Sequence, residues 1–180
     1  MALFRDVPGN TNLNRQFIIP VENLRKGVTA PTDNLRGTTP SVPVITFTAT
    51  NELAGSAFTM PIDWDNGTFE IIYEWALAAV QLNNDTLDVT TNYIAWENED
   101  NSGNSILKTS TALTSQITVT TAKGLAIGDV YRMRDTVPAA DANNPLANVN
   151  GFAFELNLTN VTGVASADLI SVCISYTASY

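Results

Sequence analysis

Glu97, Glu99 and Asp100, with Asn98 and Asn101, place three carboxylates and two amides in one polar stretch. Such an oxygen-rich set can hold calcium. The glycine and the bidentate glutamate of an EF-hand loop are not where that loop needs them, so the stretch reads as a solvated acidic loop. Asp63-Trp64-Asp65-Asn66-Gly67 is a second candidate. Its Asp-Asn-Gly reads as a hairpin turn in which the side chains bond local backbone. Glu70 and Glu74 fall on one face of a strand, and paired carboxylates can hydrolyse glycosides. Nothing in the sequence gives that pair a cleft. Trp64, Trp75 and Trp96 could form a platform for sugar rings. Trp75 sits on an alternating apolar face and reads as core, whereas Trp64, in the turn, reads as the exposed one.

Several chemistries are excluded by composition. The chain has no histidine, which rules out Ser-His-Asp and Cys-His sites and removes the commonest metal ligand. Cys173 is the one cysteine, so it has no disulfide partner within the chain and cannot build a zinc site. It lies in an apolar strand-like run and reads as a small core side chain. No glycine-rich phosphate loop and no basic-aromatic surface for nucleic acid occurs. The expectation is a protein without enzymatic activity and without cofactor or metal.

The elements that must carry these residues read as strands. From Val44 onward, short β-rich runs alternate with Gly, Pro, Asn and Asp punctuation. Phe69, Ile71, Tyr73 and Trp75 share one face of a strand, and Thr68, Glu70, Ile72 and Glu74 the other. Leu87 to Trp96, Ser115 to Thr120, Val130 to Arg134, Phe152 to Leu158 and Ile170 to Tyr176 continue the pattern. The fold class expected is all-β: an antiparallel β-sandwich, jelly-roll-like, of about eight strands over residues 44–180. Residues 1–43 read instead as an extended N-terminal arm. Prolines 8, 20, 31, 40 and 43 keep it from any long helix or central strand. Leu3-Phe4 and Phe17-Ile18-Ile19 are apolar islands of the kind that dock into grooves on a partner.

Charge divides along the same line. Residues 1–40 carry five basic and three acidic side chains, and the remainder four basic and fifteen acidic, for a net charge of −9. An acidic body repels nucleic acid. The N-terminal residues lack the apolar core of a signal peptide, and no run approaches the roughly 20 apolar residues of a membrane span. The expectation is a soluble protein made in a cytoplasm, with neither nucleic acid nor membrane as partner.

Two stretches carry a resemblance. Met60-Pro61-Ile62-Asp63-Trp64-Asp65-Asn66-Gly67-Thr68-Phe69-Glu70-Ile71-Ile72-Tyr73-Glu74-Trp75 is similar to the opening of a jelly-roll in structural proteins of tailed bacterial and archaeal viruses. Gly124-Leu125-Ala126-Ile127-Gly128-Asp129-Val130-Tyr131-Arg132-Met133-Arg134-Asp135, with the terminal strand Leu169 to Tyr176, resembles a later part of the same domain, although Asp135 follows Arg134 directly. The resemblance implies a virion component: a capsid decoration or cement protein, or a fibre or tail part. Its partners would be the major capsid protein or another virion protein, and copies of itself, as a trimer. On that reading the arm supplies the contacts, through Phe4, Arg5, Arg15, Phe17, Ile18, Ile19, Arg25, Lys26 and Arg36, and the sandwich folds without residues 1–40. The alternative is a carbohydrate-binding module of a virus tail or fibre, using an exposed tryptophan and loop carboxylates.

With no histidine and one cysteine, folding should not depend on metal. Thermal melting with and without chelator should agree. A fall of more than about 10 °C, well beyond the few degrees that each kcal/mol contributes in a domain of this size, would reinstate a calcium site at Glu97–Asp100.

Overall fold

The computed structural model describes residues 13–96, 111–145, 150–160, 163–164 and 166–179. They form eleven strands: β1 (Leu13–Pro20), β2 (Arg25–Lys26), β3 (Thr32–Arg36), β4 (Val42–Phe47), β5 (Leu53–Thr59), β6 (Trp64–Leu77), β7 (Thr86–Trp96), β8 (Thr111–Thr118), β9 (Val130–Val137), β10 (Gly151–Asn160) and β11 (Ala167–Ala178). One sheet runs β3-β4-β11-β6-β9, with β1 also on β11; the other runs β2-β5-β10-β7-β8. Every pairing between these strands is antiparallel. The two sheets face each other as the expected sandwich.

The core follows the alternation in the sequence. Phe69, Ile71, Tyr73 and Trp75 of β6 point inward, as do Phe152, Phe154, Leu156 and Leu158 of β10, and all are buried. Phe69 meets Phe152 edge-on, with centroids 5.0 Å apart, and Tyr93 stacks on Phe152 at 5.7 Å. Such pairs add to what burial of the rings already contributes. Ile170, expected on the inner face of the last strand, is only half-buried. A register shift between Leu169 and Ser171 resets the alternation, so Leu169 replaces Ile170 on the core side, while Val172, Ile174 and Tyr176 face the core as expected.

Two expectations need correction. Asp65-Asn66-Gly67 is not a hairpin turn. β5 and β6 lie in different sheets, and the tripeptide sits within β6. Asn66 takes a positive φ of 62°, and the Gly67 amide donates to Asp65 Oδ1 at 2.8 Å. Opposite it the register jumps from Tyr176↔Phe69 to Ala178↔Trp64, which makes the segment a bulge. The bulge turns Trp64 inward, where it is 1% exposed.

The second correction concerns residues 1–43. Over residues 13–36 this segment is not an extended arm outside the sandwich but contributes three of its strands. β1 pairs with β11 over eight residues, from Leu13↔Ala178 to Pro20↔Ser171. Ile19, Val21 and Leu24 enter the core, and Phe17 packs edge-on against Phe58 at 5.2 Å. The described prolines permit this because none stands at a position paired on both sides. Pro20 ends β1, while Pro31 and Pro40 lie in connections. Pro43 in β4 pairs only with β3, since β11 reaches β4 at Ile45–Phe47 alone. At that junction Asp168 is fully buried, accepting from the Arg36 guanidinium and, at 2.6 Å, from the Thr46 hydroxyl.

A chain beginning at residue 41 loses β1, strips three apolar side chains from the core and leaves Asp168 without Arg36. Removing one partner of a buried pair alone costs about 3–5 kcal/mol. The truncated chain should therefore lose its cooperative thermal transition, followed by near-ultraviolet circular dichroism. Ile19→Ala in the full chain should cost about 2–5 kcal/mol in urea unfolding. A truncated chain that melts cooperatively at the full-length midpoint would restore the dispensable arm.

Candidate functional site

The outward face of the second sheet is set by the residues between the core positions. Register places them in rows across the strands. Arg25, Gly55, Glu155 and Asn92 form one row across β2, β5, β10 and β7. Ala57, Ala153 and Ile94 form the next, and Thr59, Gly151 and Trp96 the third. Directly opposed residues in a sheet project to the same side. The positions on β5 and β10 are small in every row except for Glu155. They make a floor, with the taller side chains of β7 on one flank and the segment from Ile18 to Gly27 on the other. The result is an open groove of about 820 Å³ over the first two rows, with Thr59, Gly151 and Trp96 just beyond its lining.

Two glycines are required by close approach. A Cβ on Gly55 would stand 2.2 Å from the Phe154 carbonyl oxygen, so the floor is flat because the backbones leave no room above it. A Cβ on Gly151 would stand 1.7 Å from Cε2 of Trp96. The half-buried indole thus lies across the bare backbone at Gly151, one row beyond Ile94 and Ala153.

The polar side chains lining the groove include Asn23, Arg25, Lys26, Asn92 and Glu155. Glu155 is the one carboxylate among the described lining residues. Glycoside hydrolysis requires a pair of carboxyl groups across the scissile bond, and the described lining offers no such pair. Among the described residues no group of three or more acidic or cysteine side chains could hold a metal ion.

The sequence-predicted site residues are scattered. Phe4 and Arg5, and the acidic stretch Glu97–Asp100, lie outside the described residues. Phe17 and Ile19 are spent in the protein's own packing, so neither is free to dock into a partner. Ile18 is 69% exposed and stands at the rim of the groove. Arg15 pairs with Asp63 at 2.8 Å, Lys26 with Asp33 at 2.6 Å, and Arg36 with Asp168. Arg25 and Lys26 both line the groove, but Lys26 is held by Asp33, so Arg25 is the one that brings an unpaired charge to it. Glu70 and Glu74 do share the outward face of β6, where each meets an arginine of β9, Arg134 and Arg132. The hydrogen bond from Arg132, and then that from Ser171, hold the Glu74 carboxyl below its ordinary range. The three tryptophans form no platform, since Trp64 and Trp75 are both core. The exposure expected of Trp64 belongs to Trp96.

No family model matches the chain, and no curated protein is similar to it. Solved structures do resemble it. The insecticidal crystal protein Cry2Aa superposes with a TM-score of 0.51 at 9% identity, over 91% of this chain and 22% of that one. The CBM22-1 xylan-binding domain of Xyn10C from Paenibacillus barcinonensis gives 0.49 at 10% identity, over 93% and 94% of the two chains. The C-terminal CBM6 of LamC, a marine laminarinase from Zobellia galactanivorans, gives 0.48 at 13% identity, over 89% and 99%. The fold is a jelly-roll-type β-sandwich. At such identities the likeness speaks to architecture, and the site must be argued from its own residues.

Gly151→Ala tests the arrangement of the groove. The new methyl must displace the Trp96 ring, at a cost of about 1–3 kcal/mol for overpacking. Because Trp64 and Trp75 are buried, the change should appear as stronger acrylamide quenching of the one accessible indole, Trp96. Unchanged quenching would place Trp96 elsewhere.

Proposed function

We propose that the chain is a non-catalytic carbohydrate-binding β-sandwich whose ligand lies in the groove across β5, β10 and β7. The observation that supports this reading is the floor of Gly55, Ala57 and Ala153 with unpaired polar side chains at one end and an indole one row beyond the other. A sugar ring presents a C–H face and a rim of hydroxyls. Aromatic rings take the first, and carboxylates, amides and guanidinium groups take the second. A floor of small side chains lets an extended saccharide approach the backbone along the strands. The single carboxylate of the described lining fits binding rather than cleavage. On this reading, taken with the sequence resemblance, the domain would sit on a virus tail or fibre and face a glycan surface.

A second reading, decoration of a capsid, draws on the sequence resemblance and on one further feature. Val80, Leu82 and Ile127 are exposed by 70%, 74% and 57% on the two loops that brace each other through the Gln81 amide and the Leu125 carbonyl. Exposed aliphatic side chains gathered at one end of a domain fit a protein contact.

Trp96→Ala separates the two readings. In affinity electrophoresis against a panel of soluble polysaccharides, the wild-type chain should be retarded by at least one. The variant should bind that polysaccharide at least about tenfold more weakly, the loss of roughly one stacking contact. Attachment to empty capsids that is indifferent to Trp96→Ala, with no retardation by any polysaccharide, would overturn the glycan reading in favour of the second.

A further inference from the structure

We infer that the groove selects an anionic saccharide, and that Arg25 is the residue that recognises its acidic group. This rests on the glycan reading above and adds to it the charge of the ligand. The argument begins with the pairing of cations. The chain has twice as many acidic as basic residues, so a carboxylate is seldom far from any base. Among the described residues, Arg15, Lys26, Arg36, Arg132 and Arg134 each hold one. Lys123 lies over the Tyr131 ring at 5.8 Å. Arg25 is the described cation left with neither, although it is exposed and stands in a row with Glu155.

Gly55 lies between the two, on the strand that separates β2 from β10. Two strand spacings put the two backbones roughly 10 Å apart. The glycine offers no side chain to fill the gap. Arg25 and Glu155 face each other across the floor, and no ion pair joins them. Asn92 stands one strand further on, also without a partner among the described residues.

A guanidinium fork matches the two oxygens of a carboxylate or a sulfate ester. With Arg25 at one flank, a uronic acid or sulfated ring would lie over Gly55 with its acidic group on the fork. Its hydroxyls would donate to Glu155 and meet the Asn92 amide. Trp96, four residues along β7 from Asn92, would take a ring further along the chain. The acidic body opposes such a ligand only at long range, because the screening length at physiological salt is about 8 Å.

The experiment uses the full chain in isothermal titration against three probes of matched length: oligogalacturonate, a sulfated galactan oligosaccharide and neutral cello-oligosaccharide. At least one anionic probe should bind about tenfold or more tightly than the neutral one, and the arm that does so identifies carboxylate or sulfate. Arg25→Ala should remove that preference, and Arg25→Lys should recover part of it, since charge is kept and the fork is lost. Arg25 is exposed and unpaired, so neither variant should change the melting temperature. Tighter or equal binding of the neutral probe, unaffected by Arg25→Ala, overturns the inference and leaves the glycan reading standing. Failure of all three probes, with no retardation by any polysaccharide in the earlier panel, overturns both.

Discussion

One edge of β11 has two claimants. β4 pairs with Ala167–Leu169 and β1 with Ser171–Ala178, while β6 runs along the opposite edge. A buried backbone donor or acceptor left unpaired costs about as much as a lost hydrogen bond. So β11 can lie within the sandwich only if the N-terminal segment completes that edge. The handover between the two claimants falls where Asp168 is buried. The carboxylate takes hydrogen bonds from Arg36 of β3 and Thr46 of β4, which ties three strands to one point. An ion pair of this kind contributes less to net stability than to fixing which strand lies where. Here it fixes the end of β4 against β11 and leaves the remainder of the edge to β1.

Completing that edge also builds the groove. After Pro20 the chain must leave the first sheet, and it does so by one 3-10 turn, Val21–Asn23, whose Val21 is buried. It then pairs Arg25 with Gly55 at the margin of the second sheet. The crossing covers one side of the sandwich and supplies the flank that faces β7. The segment that secures the core is thus the one that carries Arg25 into the row with Glu155 and Asn92. Structural and binding roles are joined in residues 13–27 by chain connectivity.

How far the sequence reveals this depends on which face of a strand carries the signal. β6, β7 and β10 were legible because large apolar residues alternate with polar ones. β1 was not. Of its residues only Ile19 is fully buried and Phe17 half-buried, so the alternation that marks a strand is nearly missing. Its place is decided by the backbone of β11, about 150 residues away, and composition holds no record of that. Trp64 misled for a related reason. Asp-Asn-Gly signals a turn faithfully, but this turn is a bulge within a strand, and a bulge can re-aim the side chain beside it. The groove was silent because it is made of what is small. Gly55, Ala57 and Ala153 carry no motif, and only the register of β5 on β10 brings them together. Trp96 and Arg25 stand out by type, one as a platform residue and the other as an arm contact, but nothing in the sequence joins them.

The offset between the two sheets is what finally sets the groove, and it rests on a polar contact within an apolar interior. Asp135 of β9 is buried and accepts hydrogen bonds from the hydroxyls of Thr91 of β7 and Ser115 of β8. Because Thr91 donates to the carboxylate, its oxygen must accept from Tyr73, 3.0 Å away on β6. Burial, and then the charge of Asp135, raise the Tyr73 hydroxyl well above its ordinary range, so it stays a donor. Among the described residues no base pairs with Asp135, and the hydroxyls alone offset its burial. Two apolar faces in contact could slide past one another with small loss, since dispersion is not directional. Hydrogen bonds from both β7 and β8 to one carboxylate of the opposite sheet cannot follow such a slide. A satisfied buried network of this kind selects one packing. Thr91 is the inward neighbour of Asn92, so the same contact that fixes β7 against β9 also fixes the outward side chains Asn92, Ile94 and Trp96 against the floor laid by β10 and β5.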